Sequence, residues 1–215
     1  MKTKVKICGL STLESLEAAL DAGADYVGLV FFPKSPRHVS LDQARELANK
    51  ARSRAKIVAL TVNAADDELA AIRENLAPDF IQAHGAESPE RIEEITRRFA
   101  PVIKAIAVAA ASDIAAAKAY RDVANMLLFD AKAPENLKNA LPGGNGLSFD
   151  WSLLSKDGSR KPFMLSGGLN PENVARAIKA TGAPIVDVSS GVELSPGKKD
   201  AGLIRNFIEA ARRAR

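Results

Sequence analysis

The chain has 215 residues, of which 47% are hydrophobic and 26% are charged, a composition typical of a globular protein, and its net charge is +4. The basic residues are mostly scattered and only 5% of residues are aromatic, which argues against a nucleic-acid-binding protein. One cysteine and two histidines exclude a disulfide framework and a cysteine-based metal cluster, and no apolar run suits a signal peptide or a membrane span, so we expect a cytoplasmic protein without membrane association.

Short apolar runs alternate along the chain with amphipathic segments, at a spacing of about 25 residues. The apolar runs predict eight strands, at residues 4–8, 26–31, 57–62, 79–83, 102–108, 124–130, 163–165 and 185–188. The intervening segments predict helices at residues 11–21, 40–50, 66–75, 88–99, 112–120 and 201–211, a short one near 150 and one of about ten residues from 170. Helix starts are marked by Ser11 with Glu14, Ser40 with Gln43, Ser112, and Asn170 before Pro171.

Alternating strands and helices of this kind predict a parallel sheet with right-handed crossovers. Eight units favour closure into a (β/α)8 TIM barrel, which can be built from as few as about 200 residues. No linker interrupts the pattern, so we expect one α/β domain over residues 1–215, with an open doubly wound sheet as the alternative fold. In a barrel, the residues just past each strand share one mouth, where active sites lie.

Two turns rich in glycine and serine follow the last two predicted strands. Ser166-Gly167-Gly168 comes after the seventh strand, and Ser189-Ser190-Gly191 comes after the eighth. Glycine allows backbone N–H groups to approach an anion closely, and phosphate sites recur after strands seven and eight of barrels. A single glycine pair is usually only a turn, but two turns in tandem predict a phosphate site formed by these two segments.

Cys8 ends the first strand, and Lys6 lies on the same face because side chains alternate along a strand. A buried lysine needs a carboxylate partner, for which Asp187 of the eighth strand is a candidate. A nearby cation would lower the pKa of the thiol and favour a reactive thiolate. The alternative is an inert buried cysteine, since cysteine is among the most buried residue types.

Three further polar residues follow strands. Asp130 comes after four apolar residues, an environment that could keep a carboxyl group protonated and able to act as an acid, although it could equally be a loop or capping aspartate. Arg37 in Ser35-Pro36-Arg37 could bind a carboxylate through its planar fork, or could simply be a solvated loop residue. For His84, a structural role is the simpler interpretation.

Seven segments taken together resemble the phosphoribosylanthranilate isomerase family of tryptophan biosynthesis, and they span the chain in family order. They are KICGL (6–10), FPKSPR (32–37), QAHG (82–85), GGNG with FDW (143–146 and 149–151), LSGGLNPENV (165–174), DVSSGVE (187–193) and PGKKD (196–200).

The resemblance implies a cofactor-free Amadori rearrangement on a (β/α)8 barrel, with no metal. N-(5-phosphoribosyl)anthranilate would become 1-(2-carboxyphenylamino)-1-deoxyribulose 5-phosphate. By resemblance, Cys8 is the general base, Asp130 is the general acid, and Arg37 holds the anthranilate carboxylate. Gly167, Gly168, Ser190 and Gly191 match the phosphate turns, and Asp187 matches an aspartate near the substrate.

Two other functions stay open at this point. Another phosphosugar-processing barrel enzyme would share the phosphate turns without needing Cys8 and Ser-Pro-Arg, and a non-catalytic phosphate-ligand binder would tolerate loss of Cys8. The expected partner in each case is a small phosphosugar, with neither nucleic acid nor membrane. A monomer and a homodimer are both compatible with the sequence.

Overall fold

Eight parallel strands form a closed barrel in the computed structural model, which describes residues 2–133, 143–155 and 162–214. The strands are β1 (Lys4–Cys8), β2 (Tyr26–Phe31), β3 (Lys56–Thr61), β4 (Phe80–Ala83), β5 (Val102–Val108), β6 (Met126–Ala131), β7 (Phe163–Leu165) and β8 (Ile185–Val188). Each strand pairs with its neighbours in chain order, and β1 closes the barrel against β8 with Lys6 opposite Asp187. The barrel prediction is confirmed.

Helices surround the barrel and connect consecutive strands. They are α1 (Leu13–Asp21), α2 (Leu41–Ala51), α3 (Asp66–Leu76), α4 (Pro89–Arg98), α5 (Ala111–Ala116), α6 (Ser152–Ser155), α7 (Val174–Thr181) and α8 (Ala201–Arg213). No helix among the described residues is both long and apolar enough to cross a membrane.

The apolar residues form separate layers inside and outside the barrel wall. The large outer layer packs strand residues such as Ile7 and Phe129 against helix residues such as Leu16 and Phe207. The inner layer includes Ile103, Leu128 and Met164. This two-sided burial explains why the strands are nearly continuous apolar runs.

Several helix starts differ from the predicted capping patterns. Helix α1 is capped by Thr12, which exchanges hydrogen bonds with Ser15, so the predicted Ser11–Glu14 box is wrong by one residue. Ser40 does cap α2, but the side chain of Gln43 donates to the carbonyl oxygen of Ser11 instead of closing a box. Local patterns of this kind admit several registers, and packing selects one.

Two other helices begin away from the predicted cap. Ser112 lies inside α5 and does not cap it. The backbone N–H groups of residues 109 and 110, just before this helix, donate to the side chain of Asp113. A 3-10 turn (Ala117–Tyr120) follows α5. Asn170 accepts the N–H groups of residues 172 and 173 in a turn, so α7 begins only at Val174 and spans 8 residues. In both cases an Asp or Asn side chain organises a turn before the helix.

An unpredicted hairpin follows β8. A 3-10 turn (Ser190–Val192) leads into β9 (Glu193–Ser195), which pairs antiparallel with β10 (Lys198–Lys199) before α8 begins. The hairpin places Lys199 opposite Glu193. The segment between the sixth predicted strand and the short helix near 150 lies partly outside the described residues, which resume at Gly143.

Candidate active site

One cavity of about 750 Å³, open to solvent, lies at the carboxyl ends of the strands. It is lined by residues from the ends of most strands, among them predicted site residues from β1, β6, β7 and β8. The predicted site residues in its lining are Cys8, Arg37, Asp130, Gly167, Gly168, Asp187 and Ser190, and His84 also lines it. Gly191 is not part of the lining and lies directly behind Ser190.

Cys8 lies above a buried ion pair. Lys6 is fully buried and its Nζ lies 2.8 Å from Asp187 Oδ1, while Ser166 donates to the other carboxylate oxygen at 3.1 Å. Burial disfavours a charged lysine, but Asp187 and Cys8 together hold the pKa of Lys6 above its usual value. The predicted partnership of Lys6 and Asp187 is therefore present in the structure.

The predicted lowering of the Cys8 pKa is wrong. Burial raises the pKa of the Cys8 thiol above its ordinary value, and the nearby charge of Lys6 only partly opposes this. Lys6 does lie beside the thiol, as predicted. However, Cys8 is only 4% exposed, and Asp187 adds negative charge nearby. Both effects disfavour the thiolate.

Asp130 is buried, and its carboxyl group has two polar partners. Its Oδ1 accepts the backbone N–H of Ala131 at 2.9 Å, and its Oδ2 lies 3.3 Å from Nε2 of His84. The apolar residues before Asp130 belong to the barrel wall, whereas the carboxyl group points into the polar mouth. His84, which sequence reasoning treated as structural, is thus in contact with a predicted site residue.

Arg37 is not a solvated loop residue. Its Nε and Nη2 each donate to Glu193 at 2.8 Å, and Lys199 donates to the same carboxylate at 2.6 Å. Burial alone would raise the pKa of Glu193, but the bonds from Arg37 and the charge of Lys199 hold it below its ordinary value. Burial lowers the pKa of Lys199, although the negative charge of Glu193 opposes this shift.

The two predicted phosphate turns face each other at the mouth. Gly167 and Gly168 have φ angles of 87° and 62°, which favour glycine, and a Cβ on Gly191 would lie 1.9 Å from the carbonyl oxygen of Leu169. Within the described part of the chain, the backbone N–H groups of Gly167, Gly168, Ser190 and Gly191 have no acceptor. Unpaired backbone donors of this kind are suited to an oxyanion.

Three residues of this region had no role in the sequence analysis: Gln82, Glu193 and Lys199. The amide nitrogen of Gln82 lies 3.2 Å from Nδ1 of His84, and Glu193 and Lys199 support Arg37. All three lie in segments that carry the family resemblance, which was the only signal for them. Their contacts join distant segments, so no local pattern could assign them.

No group of three or more His, Cys, Asp or Glu side chains suited to a metal ion occurs among the residues the structure describes.

Comparison with known proteins gives a consistent result over the whole chain. The model of the family described as N-(5'phosphoribosyl)anthranilate (PRA) isomerase matches residues 5–210. The chain is 57% identical to N-(5'-phosphoribosyl)anthranilate isomerase of Rhodopseudomonas palustris (strain BisB5), over 99% of this chain and 97% of that relative.

Solved structures are similar as well. The phosphoribosyl anthranilate isomerase of Thermotoga maritima has 38% identity and a TM-score of 0.87, covering 97% of this chain and 98% of that one. A phosphoribosyl anthranilate isomerase solved with reduced 1-(o-carboxyphenylamino)-1-deoxyribulose 5-phosphate has 36% identity and a TM-score of 0.83, with the same coverage.

Proposed function

The chain belongs to the N-(5'-phosphoribosyl)anthranilate isomerase family, and we propose that Cys8 and Asp130 are the base and the acid of its reaction. The enzyme catalyses the Amadori rearrangement of N-(5'-phosphoribosyl)anthranilate in tryptophan biosynthesis. The observation that carries the proposal is that Cys8, Asp130, Arg37 and the glycine turns line one cavity.

Ring opening is the first chemical step. Asp130 in its protonated form gives a proton to the furanose ring oxygen, the bond from C1 to that oxygen breaks, and the nitrogen lone pair forms a C1 iminium. His84, which follows β4, contacts the carboxyl group and can orient Asp130 toward the ring oxygen.

Proton removal from C2 is the second step, and the iminium makes this proton acidic because it accepts the electron pair. The thiolate of Cys8 takes the proton, which leaves an enolamine that tautomerises to the ketone. Lys6 stays protonated beneath the thiol and stabilises the thiolate when it forms. Asp130 then regains a proton from solvent and the Cys8 thiol releases one to solvent, which restores both groups for the next cycle.

The two ends of the substrate are held by different groups. The amides of Gly167, Gly168, Ser190 and Gly191 bind the phosphate, and Arg37 binds the carboxylate of the aryl ring. Asp187 positions Lys6 and Ser166 at the cavity floor. Fixing both ends places the reacting carbons between the acid and the base, which is a large part of the rate enhancement.

Turnover of N-(5'-phosphoribosyl)anthranilate by the purified protein, followed by the loss of substrate fluorescence, tests this function. Conversion to the aminoketose phosphate supports it. Binding of phosphate esters without turnover would instead support a phosphate-ligand binder.

Three further properties of the enzyme are proposals of the same kind. A single domain over residues 1–215 is supported by the pairing of β1 with β8, which joins the two ends of the chain. A cytoplasmic location is expected from the pathway. The functional state is a monomer or a homodimer.

A further inference from the structure

Glu193 belongs to a buried charge network behind the cavity wall. The side chains of Arg37, Glu193 and Lys199 are 6%, 3% and 1% exposed, and both cations donate to the one carboxylate. Of these three residues, only Arg37 lines the cavity. Arg37 is therefore the direct route by which Glu193 can act on the substrate, because the two side chains are hydrogen-bonded.

The charge balance of this network suits an anionic ligand. With Lys199 protonated, two cations share one carboxylate, so the cluster holds one positive charge that Glu193 does not neutralise. A buried, unneutralised charge is costly, and an anion that reaches it is bound favourably. Arg37 is the member exposed to the cavity, so the anion is expected to bind there.

The geometry also determines which part of Arg37 faces the ligand. Glu193 occupies Nε and Nη2, and Nη1 has no acceptor within the described residues. A Cβ on Gly144 would lie 2.8 Å from Nη1, so the loop after β6 passes closely only because Gly144 lacks a side chain. The bidentate contact to Glu193 thus fixes the guanidinium plane and leaves Nη1 available to a substrate carboxylate.

Lys199 connects this network to the turn after β8. Its Nζ donates to the carbonyl oxygen of Ser189 at 3.0 Å and lies 3.2 Å from the Ser189 hydroxyl. Ser189 directly precedes Ser190 of the phosphate turn. The hairpin residues Glu193 and Lys199 therefore hold Arg37 at a fixed position relative to the phosphate turn.

We propose that Glu193 is a positioning residue that aims Arg37 at the aryl carboxylate and so determines the preference for a carboxylated aryl group. This inference rests on the proposed role of Arg37 and deepens it. Without Glu193, the guanidinium loses its fixed plane, and the advantage of the carboxylated substrate over one that lacks the carboxylate is lost.

The test compares two substrates, N-(5'-phosphoribosyl)anthranilate and N-(5'-phosphoribosyl)aniline, which lacks the carboxylate. The measured quantity is the ratio of their kcat/KM values in the wild type and in Glu193→Gln. We expect the wild type to favour the carboxylated substrate and the ratio to fall by about tenfold or more in Glu193→Gln. Glu193→Asp keeps the charge, shortens the side chain, and should also lower the ratio.

Glu87→Gln is the matched control, because Glu87 is another buried carboxylate that pairs with a buried lysine, Lys104, at 2.8 Å. It should lose stability while keeping the wild-type substrate ratio. The dissociation constants of reduced 1-(o-carboxyphenylamino)-1-deoxyribulose 5-phosphate and its counterpart without the carboxylate give the same comparison without turnover. Glu193→Gln should bring these two constants closer together.

Two results would overturn the inference, and they differ in what they say about Arg37. An unchanged substrate ratio in folded Glu193→Gln or Glu193→Asp, with both substrates weakened equally, would show that Glu193 has only a structural role. A wild type that does not distinguish the two substrates would reject the assignment of Arg37 as well.

Discussion

Nε2 of His84 lies 3.3 Å from Oδ2 of Asp130, across the mouth of the barrel from β4 to β6. On its other side, Nδ1 of His84 lies 3.2 Å from the amide nitrogen of Gln82. An amide nitrogen can only donate, so a neutral imidazole in this arrangement carries its proton on Nε2, facing the carboxyl group. His84 is thereby oriented as a partner of the proposed acid.

Replacement of His84 by Leu should lower kcat by about 10- to 100-fold, because Asp130 loses the contact that orients it. KM should change much less, since phosphate and carboxylate are bound elsewhere. Steady-state kinetics measures both constants. Gln82→Met, which removes only the contact to Nδ1, should have a smaller effect in the same direction. A His84→Leu variant with wild-type kcat would contradict this role.

The reactivity of Cys8 should have an alkaline midpoint in the ligand-free enzyme. Because burial raises its pKa, the thiol should alkylate with a midpoint above the ordinary value of about 8.5. Lys6 opposes this shift, so Lys6→Met should move the midpoint higher still. Iodoacetamide labelling against pH measures the midpoint without interference, because the chain has one cysteine.

The same labelling on urea-unfolded protein is the control for the ordinary midpoint. A native midpoint at or below the unfolded one would show that Lys6 outweighs burial.

The free energy of unfolding should fall at acid pH, and protonation of Glu87 should account for part of that loss. Its pKa is lowered, since the charge and hydrogen bond of Lys104 outweigh burial. A carboxyl group with a lowered folded pKa stabilises the fold above its unfolded pKa of about 4.3, and this contribution is lost as pH falls through the folded pKa. Glu87→Gln should cost about 3 kcal/mol at pH 7 and flatten the loss of stability on acidification.

Urea unfolding between pH 7 and pH 3 measures this effect, because the range extends below the unfolded pKa, and the exposed Glu74→Gln is the control. Equal pH dependence in the wild type and Glu87→Gln would count against it.

Gly191→Ala should raise KM about tenfold, because an added Cβ would lie 1.9 Å from the Leu169 carbonyl oxygen and displace the phosphate turn. Gly23→Ala is a suitable control: Gly23 has a φ of 85° but nothing within 4 Å of an added Cβ. It should reduce stability by about 1 kcal/mol without affecting KM, because a side chain disfavours the left-handed backbone conformation of this residue. Equal KM values for Gly191→Ala and the wild type would argue against phosphate binding at this turn.

Much of the fold is readable from local sequence patterns. The strands β2, β5 and β8 have the predicted bounds because apolar runs buried on both faces leave little freedom in register. Helix starts are harder to predict, because neighbouring residues can take the same capping role. Thr12 takes it in place of Ser11 at α1, and Asp113 takes it in place of Ser112 at α5.

The candidate site was predictable only in part. The positions of Cys8 and Asp130 at strand ends follow from the barrel, but their surroundings depend on contacts between distant segments. The Arg37–Glu193 pair joins residues separated by 156 positions, and the depth of burial that raises the pKa of Cys8 cannot be inferred from Lys6 alone.

The most direct test of the central claim is the turnover of N-(5'-phosphoribosyl)anthranilate by Cys8→Ser and Asp130→Asn beside the wild type. Both substitutions preserve size, so the fold should survive, and circular dichroism verifies this. We expect each variant to lose at least about 100-fold in kcat, because each lacks one of the two proton-transfer groups. A folded variant that turns over at the wild-type rate would contradict the role assigned to that residue.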